Sequence, residues 1–294
     1  DGHYDFTGVS GVTLPNLIPP YLAHVDPWMG ETLADNRYVS VDGPDDILPD
    51  MAIGRIPANT PADVAAVVEK VITYETAAPA GSWQERVVFV ADSNLDPAGD
   101  FHAMADDVRL NWLPAGYDDR TIYYNRDYFS GPAMNAAVTD AFNQGALLLQ
   151  WNGHSSRFRW GAYTALNYTD PPLFDANDRW PATIHYTCFS GYFGNLAFNR
   201  QALGEVLLLT PQRGAIADMS PSGQHVGWTL LQVNQGLAQA LFQERVERMG
   251  PAIDAAKLYY YSQTGGFLDV IDTMIHFGDP ALKLRLPEPQ LAGS

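Results

Sequence analysis

Ala146-Leu147-Leu148-Leu149-Gln150-Trp151-Asn152-Gly153-His154 is the stretch on which the reading of this sequence turns. Ala146 to Gln150 is a short apolar run set off by Gly145, the mark of a strand covered by helices on both faces. It then breaks into Asn-Gly-His, a turn that carries an ionisable side chain. The same design recurs along the chain. Val87-Val88-Phe89-Val90-Ala91 is β-branched and aromatic and ends at Asp92; Ala182 to Thr187 runs directly into Cys188; Gly214 to Met219 ends at Ser220-Pro221-Ser222-Gly223.

Helical patterns fill the intervals. Thr60-Pro61 reads as a cap with proline at the first helical position, followed by Val64, Val67, Val68, Val71 and Ile72 as one apolar stripe. Asp100 can cap a helix reaching about Trp112, with Phe101, Met104 and Val108 on one side. Met134, Ala137, Val138, Ala141 and Phe142 form the next stripe, closed by Gly145. Further helices are expected near Asn199 to Leu209 and, as one long element, from about Trp228 to Met249. Met51 to Ile56 and Thr121 to Tyr124 are additional strand candidates, and the first 50 or so residues read as loop with short strands. Strand alternating with helix implies right-handed crossovers and an α/β fold, a three-layer sandwich with a mostly parallel central sheet flanked by helices. The expected division is an N-terminal subdomain over residues 1–80, a catalytic subdomain over 81–286 and a linker tail over 287–294.

Composition narrows the function classes. The chain has 294 residues and a formal net charge of -17, which opposes binding to nucleic acid or an anionic membrane. No run approaches the roughly 18 apolar residues of a membrane span. The acids, Asp45, Asp46, Asp50, Asp118 and Asp119 among them, are scattered through loops, so a solvated acidic surface is the leading reading and a structural calcium the minority one. A single cysteine excludes an intrachain disulfide and a cysteine-rich zinc site. No cofactor is required by anything in the sequence.

Parallel sheets collect ligands at the carboxyl ends of their strands. Asp92, His154, Cys188 and Ser220 to Gly223 all fall there, which puts an acid, an imidazole and a thiol on one rim. A thiol beside an imidazole suits nucleophilic catalysis, the imidazole moves protons near neutrality, and a carboxylate on the far ring nitrogen fixes the tautomer. Each residue also has a bland reading: Cys188 as a small buried hydrophobe, His154 as a turn histidine, Asp92 as a cap. His225, close to the end of another strand, is the rival imidazole, whereas His185 lies inside a strand and is expected to pack or bind a neighbour.

Asp35-Asn36-Arg37-Tyr38, Ala52-Ile53-Gly54-Arg55-Ile56-Pro57, the strand into Gly153-His154, Thr187-Cys188-Phe189-Ser190-Gly191-Tyr192-Phe193 and Phe277-Gly278-Asp279-Pro280-Ala281-Leu282 together resemble, in order, the gingipain family of cysteine peptidases. The resemblance implies a caspase-like fold and an exported endopeptidase of the bacterial surface or exterior. It makes Cys188 the nucleophile, His154 the general acid/base and Asp92 the third member, with the backbone N–H groups of Cys188 and Ser155 as oxyanion hole. It further implies that Asp100 selects Arg or Lys before the cut and that Ser220, Ser222 and Gly223 belong to the segment walling the pocket. Ser155 departs from the glycine usual after the catalytic histidine, and Arg157-Phe158-Arg159-Trp160 is bulkier and more basic than usual. The implied partners are a protein or peptide substrate and the chain's own N-terminal segment or propeptide, since a buried strand is expected ahead of Asp1-Gly2-His3. Two other readings share the fold: a sortase-like transpeptidase, and a retired peptidase serving as a surface binding or structural module.

Overall fold

The computed structural model describes residues 17–43, 45–194, 200–265 and 267–288. In chain order, a hairpin of β1 (Leu22–Asp26) and β2 (Gly30–Leu33) precedes α1 (Pro61–Thr76), β3 (Arg86–Ala91), α2 (Phe101–Asn111), β4 (Asp118–Tyr123), α3 (Gly131–Gln144) and β5 (Leu148–Asn152). Three two-residue strands follow, β6 (Ser155–Ser156), β7 (Arg159–Trp160) and β8 (Leu166–Asn167), then β9 (Ala182–Tyr186), α4 (Leu203–Leu209), β10 (Ala217–Pro221), α5 (Gly227–Ala238), α6 (Met249–Thr264), α7 (Asp269–Thr273) and β11 (Met274–Phe277). The central sheet has the order β11-β10-β9-β5-β3-β4. Only the β10–β11 pairing is antiparallel.

The apolar runs became strands because both of their faces are covered. Phe101, Ala105 and Val108 of α2 join Leu230, Val233 and Leu237 of α5 and Ile253 and Ala256 of α6 over Val87, Phe89, Ile184 and Met219. On the opposite face, Met134, Val138 and Phe142 of α3 and Leu203 and Leu207 of α4 pack on Val88, Val90, Leu149 and Trp151. A three-layer sandwich results. Helix starts follow their sequence signals: Thr60 and Asp63 form a reciprocal capping box for α1, and Asp100 and Ser130 cap α2 and α3.

Three expectations are corrected. Val64, Val68 and Ile72 of α1 are exposed, and the buried face is Val67, Lys70 and Tyr74, three positions that a 3.6-residue period also places together. Lys70 can enter the core because its amine donates to Arg213 O at 3.0 Å and Ala215 O at 2.6 Å; burial lowers its pKa to about 7. Met51 to Ile56 is not a strand. It contributes one bridge, Arg55 to Phe277, while the Arg55 guanidinium is drawn away to Asp35 at 2.5 Å. The long helix expected from Trp228 to Met249 is two helices: α5 runs on through a π turn over Gln239–Gln243, Arg245 adopts a φ of 56°, and α6 starts afresh at Met249. The helix expected near Asn199 begins at Leu203, with residues 195–199 outside the described residues.

Candidate active site

Strand register brings the predicted residues together. Ala91 pairs with Asn152 and Asn152 with Tyr186 across three adjacent parallel strands, so Asp92, Gly153-His154 and Thr187-Cys188 leave the sheet at the same level. The next strand continues the rim: Phe189 N–H donates to Gly223 O at 3.0 Å and Gly191 N–H to Pro221 O at 2.8 Å. Gly191 is required by this closeness, since a Cβ there would lie 2.5 Å from Ser220 O.

His154 has a fixed main chain and an exposed ring. Its N–H donates to Asp92 Oδ2 at 3.2 Å, and its carbonyl accepts from Trp151 Nε1 at 3.1 Å and Gly161 N–H at 2.8 Å. Trp151 is itself locked by parallel stacking on Trp160 at 5.4 Å, a geometry worth on the order of 1 kcal/mol beyond burial. The ring is about half exposed, leans on the edge of Phe101 at 5.4 Å and places Nε2 3.0 Å from Asp96 Oδ1. Burial raises the Asp96 pKa, but hydrogen bonds from Ala98 N–H and from the ring outweigh it and hold the carboxyl below its usual range.

The carboxylate at the ring is therefore Asp96 and not Asp92, a correction to the expected geometry. Asp92 is buried, and its oxygens are taken by Tyr163 OH at 2.7 Å, Ser93 N–H at 2.8 Å and the His154 main chain. Gly153 lets it approach, since a Cβ there would sit 2.4 Å from the Asp92 Cβ. Asp92 holds the turn; Asp96 holds the imidazole.

Cys188 is half-buried, in the turn that follows β9. Sγ donates to His225 O at 3.5 Å and accepts from His225 N–H at 3.4 Å, and it makes no hydrogen bond to the His154 ring. Burial pushes its pKa up, the His225 hydrogen bond opposes this, and the nearby Asp26 charge adds to the rise. The Ser155 hydroxyl donates to Cys188 O, tying the histidine segment to the nucleophile turn. The ring of the rival His225 faces the other way, with Nε2 3.0 Å from Thr273 Oγ1 and Nδ1 3.5 Å from Asp269 Oδ2.

The substrate-side residues are placed less as expected. Ser220 and Ser222 are sealed: the Ser220 hydroxyl donates to Asp218 Oδ1 and that of Ser222 to Leu33 O, both at 2.5 Å, so neither side chain can touch a substrate. Gly223 is buried against Asp26, whose Oδ2 accepts from Gln224 N–H at 2.7 Å. Asp100 is exposed, not buried, and one of its oxygens caps α2 through Ala103 N–H at 2.9 Å. Beyond His225 the rim carries an exposed aromatic pair, Trp228 and Phe267, edge to face at 5.3 Å.

Sequence reasoning missed Asp96, Asp26, Tyr163 and this aromatic pair. The Asp96-Pro97-Ala98-Gly99 turn carried a signal for the first, because an aspartate opening a turn bonds N–H groups two residues on, as Asp96 does with Ala98 at 2.8 Å. For calcium, Asp42, Asp46 and Asp50 form a candidate group of three carboxylates among the described residues, an all-oxygen set of the kind a hard cation takes. Among the described residues, no helix is long and apolar enough to cross a membrane.

Comparisons with known proteins bear on the family and the fold. The family model of peptidase family C25 matches residues 1–285. Lys-gingipain of Porphyromonas gingivalis is 25% identical over 199 residues, which are 65% of this chain and 10% of that protein; Lys-gingipain 381 of the same species matches equally. The chain thus spans about a tenth of the length of these curated relatives. Among solved structures, the Arg-specific cysteine proteinase gingipain R superposes with a TM-score of 0.73 at 17% identity, over 91% of this chain and 61% of that one. A complex of Porphyromonas gingivalis RgpB pro- and mature domains gives 0.71 at 18% identity, over 86% and 60%. These likenesses establish the caspase-like fold.

Proposed function

Because the chain belongs to peptidase family C25, we propose that it hydrolyses peptide bonds with Cys188 as nucleophile and His154 as general acid/base. The observation that supports this reading is the strand register, in which the segments carrying the half-buried Cys188 and the exposed His154 leave adjacent parallel strands at the same level. Nε2 of His154 faces Asp96, which leaves Nδ1 for the sulfur. On substrate binding the thiol gives its proton to Nδ1 and attacks the scissile carbonyl carbon. The oxyanion is met by the N–H groups of Cys188 and Ser155, backbone donors of the kind that stabilise developing charge. His154 then protonates the leaving amine, a thioester remains, and water, deprotonated by the same ring, releases the acid.

Asp92 supports this chemistry through the main chain and Asp96 through the tautomer of the ring. Asp100, with one carboxylate oxygen free of its cap, one residue from the Phe101 that touches His154, supports a preference for Lys or Arg before the cut. Secretion, a propeptide as partner and a structural calcium at Asp42, Asp46 and Asp50 belong to the same reading.

Quenched-fluorescence peptides varied at the residue before the cut test it. Expected are cleavage fastest after Lys or Arg and a loss of roughly four orders of magnitude or more in Cys188→Ala. Undiminished cleavage by Cys188→Ala would overturn the peptidase reading, and equal cleavage after apolar residues would overturn the cationic preference alone.

A further inference from the structure

Behind the rim lies a second histidine that the proposed chemistry does not use. His185 sits on β9, three residues before Cys188, with no solvent exposure. Its Nδ1 is 2.9 Å from Ser190 Oγ and 3.4 Å from Trp160 Nε1. Indole nitrogen only donates, so Nδ1 carries a lone pair and the ring proton resides on Nε2. Nε2 in turn lies 3.0 Å from Asp218 Oδ2, off the line of a well-aligned hydrogen bond but in close electrostatic contact. Asp218, equally sealed on β10, also accepts from Thr183 Oγ1 at 2.7 Å and Ser220 Oγ at 2.5 Å.

Ser190 is the end of this chain that matters for function. It belongs to the turn Cys188-Phe189-Ser190-Gly191, in which Phe189 adopts a φ of 57°, a conformation that costs a bulky residue free energy unless its surroundings enforce it. Main-chain bonds hold the turn on two sides: Phe189 and Gly191 to the end of β10, and the Ser190 carbonyl to Gly204 N–H at 3.0 Å. The Ser190 side chain ties it to the interior of the sheet. Resting on the peptidase reading above, we propose that Ser190 and His185, backed by Asp218, are positioning residues for the nucleophile. They set the Cys188 turn in the strained conformation that presents Sγ and the Cys188 N–H to a substrate carbonyl.

A double-mutant cycle tests the idea, because the His185 ring lies directly between Ser190 Oγ and Asp218 Oδ2. Ser190→Ala removes one buried oxygen, and Asp218→Asn keeps the shape. Each is expected to lower kcat roughly tenfold with KM within about twofold, the scale of one lost buried hydrogen bond. The double variant is expected to lose no more than the worse single one. The inference is overturned by singles that keep the kcat of the parent protein, whatever happens to their melting temperatures, or by a double variant whose loss is the product of the two. If Asp218→Asn fails to fold, Ser190→Ala alone still decides through its kcat and KM. A parent protein without turnover, or turnover surviving in Cys188→Ala, fells the peptidase reading itself and this inference with it.

Discussion

Two histidine–aspartate pairs share the same separation of 3.0 Å, one in the loops that follow β3 and β5 and the other on β9 and β10, and their surroundings differ completely. His154 and Asp96 lie at the rim, with side chains 51% and 26% exposed, whereas His185 and Asp218 are wholly enclosed. A ring that meets solvent can take up and release protons and reach a bound substrate. An enclosed ring between a serine, an indole and a carboxylate can only hold its neighbours in place. Position relative to the strand ends, and not residue type, separates a chemical role from a positional one.

The sharpest way to break this comparison is to treat the two rim carboxylates alike. Asp96→Asn is expected to reduce kcat by roughly 10- to 100-fold through loss of the preferred tautomer, with little change in melting temperature, since its loop is largely solvated. Asp92→Asn is expected to act mainly on stability, by about 1–3 kcal/mol for a compromised buried acceptor, read as a fall in melting temperature. If Asp92→Asn costs more turnover than Asp96→Asn in equally stable proteins, Asp92 is the partner of the ring during catalysis.

A smaller effect concerns the thiol. Burial is the main cause of its raised pKa, and the Asp26 charge adds to it. A negative neighbour disfavours the thiolate, so Asp26→Asn should move the pH profile of Cys188 alkylation by iodoacetamide to lower pH, while burial keeps the thiol above its ordinary value. An unmoved or upward-moving profile would show that the Gln224 turn, which Asp26 also holds, responds to the change instead.

Much of the rim was legible in advance because it depends on two local signals, buried apolar runs and the polar residue that ends each of them. Asp92, His154 and Cys188 needed only the rule that parallel strands finish on one side. The division of labour between Asp92 and Asp96 was not legible, because it depends on how the loop after β3 folds back over β5. The inward turn of Ser220 and Ser222 was hidden for a related reason: a strand-end serine can face substrate or core, and the hairpin β1–β2 that accepts the Ser222 hydroxyl at Leu33 O is remote in sequence. The misread face of α1 shows the limit of periodicity, since a buried lysine satisfied by two carbonyls looks polar in a sequence and behaves as core.

The most direct measurement is the rate at which a peptidyl acyloxymethyl ketone forms a covalent adduct on Cys188, mapped by peptide mass spectrometry in the parent protein and in His154→Ala. Expected is a single saturable adduct on Cys188 in the parent, slowed by roughly a hundredfold or more when the imidazole is removed. Equal rates in the two proteins, or no adduct in either while iodoacetamide still reaches the thiol, would contradict a working pair of Cys188 and His154.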